Sequence, residues 1–160
     1  MKTLLIMRHG KSSWKDSDLP DKERPLKKRG RKDSTHMGEL LDDKKFKPDM
    51  ILCSTAVRAS QTAEIVVDKL DFEGKIEYLD ALYMAEPETI IKTLQSFPDV
   101  ERMMIIGHNP GLETLLQILT DKISSLPTAA VARVKLPINS WQDLDMKTTG
   151  ELSNLWLPRG

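Results

Sequence analysis

The chain opens with MKTLLIMRHG (residues 1–10), in which a mostly apolar run, Thr3 to Met7, leads directly into Arg8 and His9. Such a short apolar run ahead of charged residues is typical of a buried β-strand. It is too short for the core of a signal peptide and far too short to span a bilayer. We therefore expect a first strand that delivers two basic side chains to its carboxyl end.

Further apolar runs follow this first strand, and segments with helical spacing separate them. The runs cover residues 50–54, 76–79, 102–106 and 130–136, with a final short strand near Leu155. Apolar residues recur at helical spacing between Ala59 and Leu70 and between Leu112 and Leu119. This alternation predicts an α/β fold, a three-layer sandwich in which helices flank a mostly parallel central sheet.

Local signals indicate where two helices begin, the one that carries Leu112 and an earlier one that carries Ile90. Asn109 is a suitable cap, Pro110 suits the first helical position after it, and Pro87 suits the first turn of an earlier helix. Residues 11–26 are polar and contain two prolines, so we expect a long loop after the first strand.

The length and composition suit one soluble domain spanning residues 1–160. The 24 basic and 24 acidic residues cancel, which gives no long-range attraction to nucleic acid or membrane. Cys53 is the only cysteine, so no disulfide can form within the chain. We expect a cytoplasmic protein, and a monomer.

Polar residues with a common chemistry follow three of the predicted strands. The first strand runs into Arg8-His9-Gly10, the second ends at Ser54 with Arg58 shortly after, and the fourth ends at Gly107-His108-Asn109. In open α/β sheets, ligands bind beyond the carboxyl ends of the strands. Two histidines and two arginines are therefore expected to share one site.

Such a group of side chains suits phosphoryl transfer. Arginine offers a planar fork of donors that can hold phosphoryl oxygens, so Arg8 and Arg58 are candidate clamps. Neutral imidazole can attack phosphorus and later be released, which makes His9 a candidate nucleophile. His108, if protonated, adds a further donor, and the backbone amides near Asn109 lie where a helix N-terminus favours anions.

Three motifs, in order along the chain, resemble those of the histidine phosphatase superfamily. They are Arg8-His9-Gly10, the segment 54–62 that contains Arg58, and Gly107-His108-Asn109-Pro110. The wider string RHGKSSW (8–14), the pattern DxxRPL (21–26) and the pair Arg29-Gly30 resemble the small SixA-type phosphohistidine phosphatase branch. The resemblance covers nearly the whole chain and implies a phosphoglycerate mutase-like fold.

The resemblance also implies roles for individual residues. His9 becomes the phosphoryl acceptor, Arg8 and Arg58 hold the phosphate, and His108 is the second histidine beside it. Lys11, Ser12 and Ser13 follow the nucleophile and, with Asn109, are expected to contact phosphate or substrate, while Thr62 supports the site from behind.

One position departs from the family pattern. Larger members carry a carboxylic acid shortly after the third strand that protonates the leaving oxygen of an ester, and the matching residue here is Ala81. Without an acid, an alkoxide leaves poorly, whereas an imidazole can leave with its own proton. The substitution therefore favours a phosphohistidine substrate, with Asp80 and Glu86 left open as alternative donors.

The sequence thus predicts a metal-independent, cofactor-free phosphatase that hydrolyses phosphohistidine in a protein or peptide through phosphorylated His9. No acidic residue lies at ligand spacing from the histidines, and the arginines would repel a metal ion. Two alternatives remain open, a phosphatase of small phosphomonoesters and a non-catalytic phosphate-binding module.

Other features receive simpler interpretations. Cys53 and Arg58 are separated by one residue too few for a cysteine phosphatase loop. Asp143 and Asp145 do not follow an apolar strand, as the motif of an aspartate-based, magnesium-dependent phosphatase must. The basic run 22–32 is interpreted chiefly as a solvated face, and His36, within a charged helical stretch, as a structural residue without a catalytic role.

Overall fold

A six-stranded sheet forms the centre of the computed structural model, which describes residues 1–159. The strands are β1 (Lys2–Arg8), β2 (Met50–Ser54), β3 (Lys75–Leu79), β4 (Arg102–Gly107), β5 (Val131–Leu136) and β6 (Glu151–Trp156). The order is β3-β2-β4-β1-β5-β6. Strands β1 to β4 are parallel, β5 is antiparallel to β1, and β6 is antiparallel to β5. The predicted mostly parallel sheet is confirmed.

Four α-helices in the described part of the chain cover the two faces of the sheet. They are α1 (Lys28–Asp43), α2 (Val57–Leu70), α3 (Pro87–Gln95) and α4 (Gly111–Thr120). Alternate residues of each strand face opposite layers, so Leu5 and Met7 of β1 pack with α1 and α2 while Leu4 and Ile6 pack with α3 and α4. The result is the predicted α/β three-layer sandwich, a phosphoglycerate mutase-like fold.

The start of α4 differs from the prediction by one residue. The helix begins at Gly111, and Pro110 precedes it rather than forming its first turn. The side chain of Asn109 still accepts a hydrogen bond from the backbone N–H of Glu113, at 3.2 Å. Asn109 therefore caps the helix from one position further out than expected.

The loop after β1 passes very close to α1 because both segments carry glycine where they meet, Gly10 in the loop and Gly30 in the helix. A Cβ atom on Gly10 would lie 2.7 Å from the carbonyl oxygen of Gly30, and one on Gly30 would collide with the backbone of Lys11. Only glycine allows this close approach, because a Cβ atom on either residue would overlap the facing backbone. Within residues 1–159, no helix has the length and apolar character needed to cross a membrane.

Candidate active site

The carboxyl ends of β2, β4 and β1 lie side by side, so the three sets of polar residues meet in one cleft of about 350 Å³. The imidazole rings of His9 and His108 are 5.0 Å apart between centroids, and Nε of Arg58 lies 3.4 Å from Nε2 of His9. The cleft is lined by Arg8, His9, Lys11, Ser12, Trp14, Asp21, Arg24, Arg58, Met84, His108, Asn109 and Thr128.

His9 is oriented by its own backbone neighbour. Its Nδ1 lies 2.6 Å from the carbonyl oxygen of Gly10, to which it donates a hydrogen bond, so the lone pair is on Nε2. The backbone N–H of Gly10 in turn donates to the Thr62 hydroxyl at 3.0 Å, which fixes the turn. Burial, aided by the charges of Arg58 and Arg8, lowers the pKa of His9 from 6.5 to about 4. The imidazole is therefore neutral near pH 7.

The two arginines differ in how much of their hydrogen-bonding capacity the protein uses. Arg58 donates from Nη1 to the carbonyl oxygen of Asp21 at 2.7 Å and from Nη2 to its carboxylate at 2.9 Å. Arg8 donates from Nη1 to the carbonyl oxygen of Leu126 at 3.3 Å, and its buried Nε has no partner within residues 1–159. Each guanidinium keeps donors free for an anion.

His108 is buried at the end of β4 with one nitrogen engaged. Its Nε2 lies 2.7 Å from Oγ of Ser54, while Nδ1 is buried without a partner in the described part of the chain. Burial, with added repulsion from His9 and Arg58, lowers its pKa from 6.5 to about 3. His108 is thus also neutral near pH 7.

Asp21 lines the cleft, although the sequence analysis did not single it out as a site residue. Its carboxylate accepts hydrogen bonds from the Tyr83 hydroxyl at 2.5 Å, from Arg58 and from Arg24. The Tyr83 hydroxyl and then the two guanidinium groups hold the pKa of Asp21 far below its usual range. The residue was visible in the sequence as the first position of the DxxRPL pattern, whose polar residues lie in an otherwise irregular loop.

Arg24 corrects the interpretation of the basic run as a solvated face. The side chain is only 5% exposed, lines the cleft, and packs 3.3 Å from the ring centre of Trp14, which is itself 70% exposed. Arg24 also donates to the Ser12 hydroxyl and to the carbonyl oxygen of Ser13. Its charge is therefore part of the cleft. The basic residues of the run that lie in α1 are exposed, namely Lys28, Arg29, Arg31 and Lys32.

Of the four further residues predicted to contact phosphate or substrate, three line the cleft. Lys11 and Ser12 line the cleft, but Ser13 does not, because its hydroxyl accepts from the backbone N–H of Lys15 and its backbone pairs with Pro25. Asn109 lines the cleft, yet its amide group already donates to Leu126 and accepts from α4.

The two candidate proton donors lie outside the cleft. Asp80 accepts from Lys22 at 2.8 Å and from the Thr55 hydroxyl at 2.6 Å, and these contacts lower its pKa. Glu86 precedes α3 and does not line the cleft either. The only cleft carboxylate in residues 1–159 is that of Asp21, which is ionised. No set of three or more potential metal ligands is found in this part of the chain.

Neutral imidazoles between guanidinium groups are chemically suited to hold a phosphoryl group and to present a histidine nitrogen to it. The profile of the Histidine phosphatase superfamily (branch 1) matches residues 4–83. The chain belongs to this superfamily, and it is a phosphatase.

Known proteins resemble this chain in fold or in sequence. A protein of Agrobacterium tumefaciens assigned as a phosphohistidine phosphatase SixA superposes with a TM-score of 0.85 at 26% identity, covering 98% of each chain. The protein histidine phosphatase SixA complexed with tungstate gives 0.82 at 27% identity, covering 98% of this chain and 97% of that one. An uncharacterized chloroplastic protein of Arabidopsis thaliana is 30% identical over 150 residues, covering 88% of this chain and 69% of that protein. The chain is of the SixA type.

The lowered histidine pKa values lead to a direct prediction. In an NMR pH titration of the imidazole nitrogens, His9 and His108 should both have midpoints well below 6.5, near 4 and 3. Because the unfolded chain takes up these protons at about 6.5, the protein should also lose stability as the pH falls from there towards the folded-state values. The urea-unfolded chain is the control, and a His9 midpoint close to 6.5 in the folded protein would contradict the prediction.

Proposed function

We propose that this phosphatase hydrolyses phosphohistidine in a protein or peptide, without a metal ion, through a covalent phosphoryl intermediate on His9. The observation that carries the proposal is the protonation state of the cleft. Asp21 is ionised, both histidines are neutral, and neither Asp80 nor Glu86 reaches the cleft. An ester would need a proton for its leaving oxygen, whereas an imidazole can leave as a neutral molecule.

In the first step, the phosphoryl group lies between Arg8 and Arg58 with its oxygens on their free N–H groups. Nε2 of His9 forms a bond to phosphorus as the bond between phosphorus and the substrate nitrogen breaks. The electron pair of that bond goes to the substrate nitrogen, and the other nitrogen of the same ring keeps its proton. The leaving group is therefore a neutral imidazole.

The phosphorylated His9 ring carries a positive charge, with its proton on Nδ1. The carbonyl oxygen of Gly10, 2.6 Å away, accepts the Nδ1–H hydrogen bond and stabilises this charge. In the second step, water attacks phosphorus and the bond to Nε2 breaks. The electron pair returns to Nε2, the water proton leaves with phosphate and solvent, and neutral His9 is restored.

The charge of the cleft supports catalysis without a metal ion. Within residues 1–159, four cationic side chains line it against one carboxylate, that of Asp21; they are Arg8, Lys11, Arg24 and Arg58. The cleft therefore attracts a dianionic phosphoryl group. The same charges would repel a divalent cation.

The rim of the cleft supports a polypeptide substrate. Trp14 is 70% exposed and Met84 is 49% exposed, and both line the opening. Exposed large apolar side chains beside a polar cleft suit contact with the chain that flanks a phosphorylated histidine. A monomer acting in the reducing cytoplasm, without binding nucleic acid or membrane, is part of the same proposal.

The proposal is tested by comparing two peptides that differ only in carrying phosphohistidine or phosphoserine. We expect kcat/KM to be at least about 100-fold higher for phosphohistidine, since an unassisted general-acid step costs roughly 10²–10⁴-fold. EDTA should leave the rate unchanged. Faster phosphoserine hydrolysis would support an ester phosphatase, binding without turnover would support a binding module, and loss of activity in EDTA would contradict metal independence.

A further inference from the structure

The hydroxyl of Ser54, at the end of β2, is fully buried beside His108. Its Oγ lies 2.7 Å from Nε2 of His108 and accepts a hydrogen bond from the backbone N–H of Ala56 at 3.2 Å. The hydrogen bonds within residues 1–159 offer the hydroxyl proton no other acceptor. Whether the hydroxyl proton finds a hydrogen-bond acceptor therefore depends on the tautomer of His108.

The two tautomers of His108 leave this hydroxyl in different situations. A serine hydroxyl has one proton to donate and lone pairs that accept. If Nε2 carried the imidazole proton, it would donate to Oγ and the hydroxyl proton would be left unpaired in a buried position, which is unfavourable. If the hydroxyl donates to Nε2 instead, both groups are paired and the imidazole proton lies on Nδ1.

We propose that Ser54 is a positioning residue that keeps His108 in the neutral tautomer protonated at Nδ1, so that Nδ1–H is held ready as a hydrogen-bond donor to the phosphoryl group. His108 lines the cleft, and its Nδ1 is buried with no partner in the described part of the chain. The inference rests on the proposed function only in assuming that a phosphoryl group occupies the cleft.

The surroundings of His108 oppose a second proton on the ring. His9, Arg58 and Arg8 disfavour the charged form, Asp21 favours it, and the ring of Tyr83 packs edge-on at 5.4 Å. A proton arriving at Nε2 would also displace the one that Ser54 donates. His108 therefore donates a hydrogen bond to phosphoryl oxygen without giving up its proton, which suits a leaving group that needs none.

The tautomer can be measured directly in the wild-type protein. Imidazole ¹⁵N NMR at pH 7 distinguishes a protonated ring nitrogen from a bare one. We expect His108 to show a protonated Nδ1 and a bare Nε2. The opposite tautomer, or a ring protonated on both nitrogens, would overturn the inference. The expected tautomer in a protein that releases no phosphate from phosphohistidine would support it and contradict only the proposed substrate.

Variants of Ser54 test its consequence for catalysis. Ser54→Ala should show a mixture of tautomers and a kcat lower by up to roughly 10-fold, the factor that corresponds to the loss of one hydrogen bond. Ser54→Thr keeps the hydroxyl and should restore most of kcat and the Nδ1–H tautomer. Unchanged kcat and tautomer in Ser54→Ala would overturn the proposal. If Ser54→Ala does not fold, the ¹⁵N NMR measurement of the His108 tautomer in the wild-type protein tests the proposal by itself.

The neighbouring Thr55 provides the matched control. Its hydroxyl donates to Asp80 at 2.6 Å, outside the cleft, so Thr55→Ala also removes a hydrogen-bonding hydroxyl at this strand end. We expect the His108 tautomer and kcat to be unchanged in this variant. Equal losses of kcat in Thr55→Ala and Ser54→Ala would show a general disturbance of the strand end and overturn the specific role of Ser54.

Discussion

The variant His9→Ala is expected to release phosphate from a phosphohistidine peptide at least about 10⁴-fold more slowly than the wild type, the scale of loss when a catalytic nucleophile is removed. Nδ1 of His9 is engaged with the carbonyl oxygen of Gly10, so Nε2 is the nitrogen that faces the cleft with a lone pair. Steady-state phosphate release measures the loss. Affinity for inorganic phosphate should change far less, because Arg8 and Arg58 remain.

The chain offers a matched control for this variant. His36 lies exposed on α1, away from the cleft lining, so His36→Ala removes an imidazole without touching the proposed site. Its rate should equal that of the wild type. If His9→Ala retained a rate within about tenfold of the wild type, the nucleophile would have to be another group.

Replacing Arg58 with alanine should lower kcat/KM by roughly 10²–10³-fold, the usual cost of losing a donor to transition-state charge. Two losses combine in this variant. The phosphoryl oxygens lose a buried guanidinium, and the loop 11–26 loses the two hydrogen bonds through which Asp21 is tied to α2. Kinetics on the phosphohistidine peptide, with a thermal melt to verify folding, measures the effect.

The variant Arg58→Lys separates charge from geometry. Lysine keeps one positive charge but lacks the planar fork that reaches the Asp21 carbonyl, the Asp21 carboxylate and the cleft together. It should recover only a minor part of the lost kcat/KM. Full recovery by lysine would show that charge alone matters, and a near-normal rate for Arg58→Ala would remove Arg58 from the site.

The fold could be predicted because its signals are local. Buried parallel strands appear as short apolar runs, and α2 and α4 show regular spacing of apolar residues from Ala59 and from Leu112. The start of α4 was placed one residue early, since the boundary depends on backbone torsions around Pro110 that no side-chain pattern records.

The residues of the cleft that could be predicted from the strand pattern are those at the end of a strand or in the first turn of a helix. Arg8 ends β1, His9 and His108 directly follow β1 and β4, and Arg58 lies in the first turn of α2. The strand order brings the four together. Asp21 and Arg24 lie in a loop without periodicity. The position of Asp21 depends on Arg58, 37 residues away, and on Tyr83, 62 residues away, and such distant pairs leave no local pattern.

The proposed intermediate on His9 is tested most directly by mixing excess wild-type protein with a ³²P-labelled phosphohistidine peptide, quenching within one turnover under alkaline conditions, and locating the label in the protein by peptide mapping. The account predicts that the label passes through His9 and declines as inorganic phosphate appears. Release of labelled phosphate within that turnover, with the label never on His9, would contradict it.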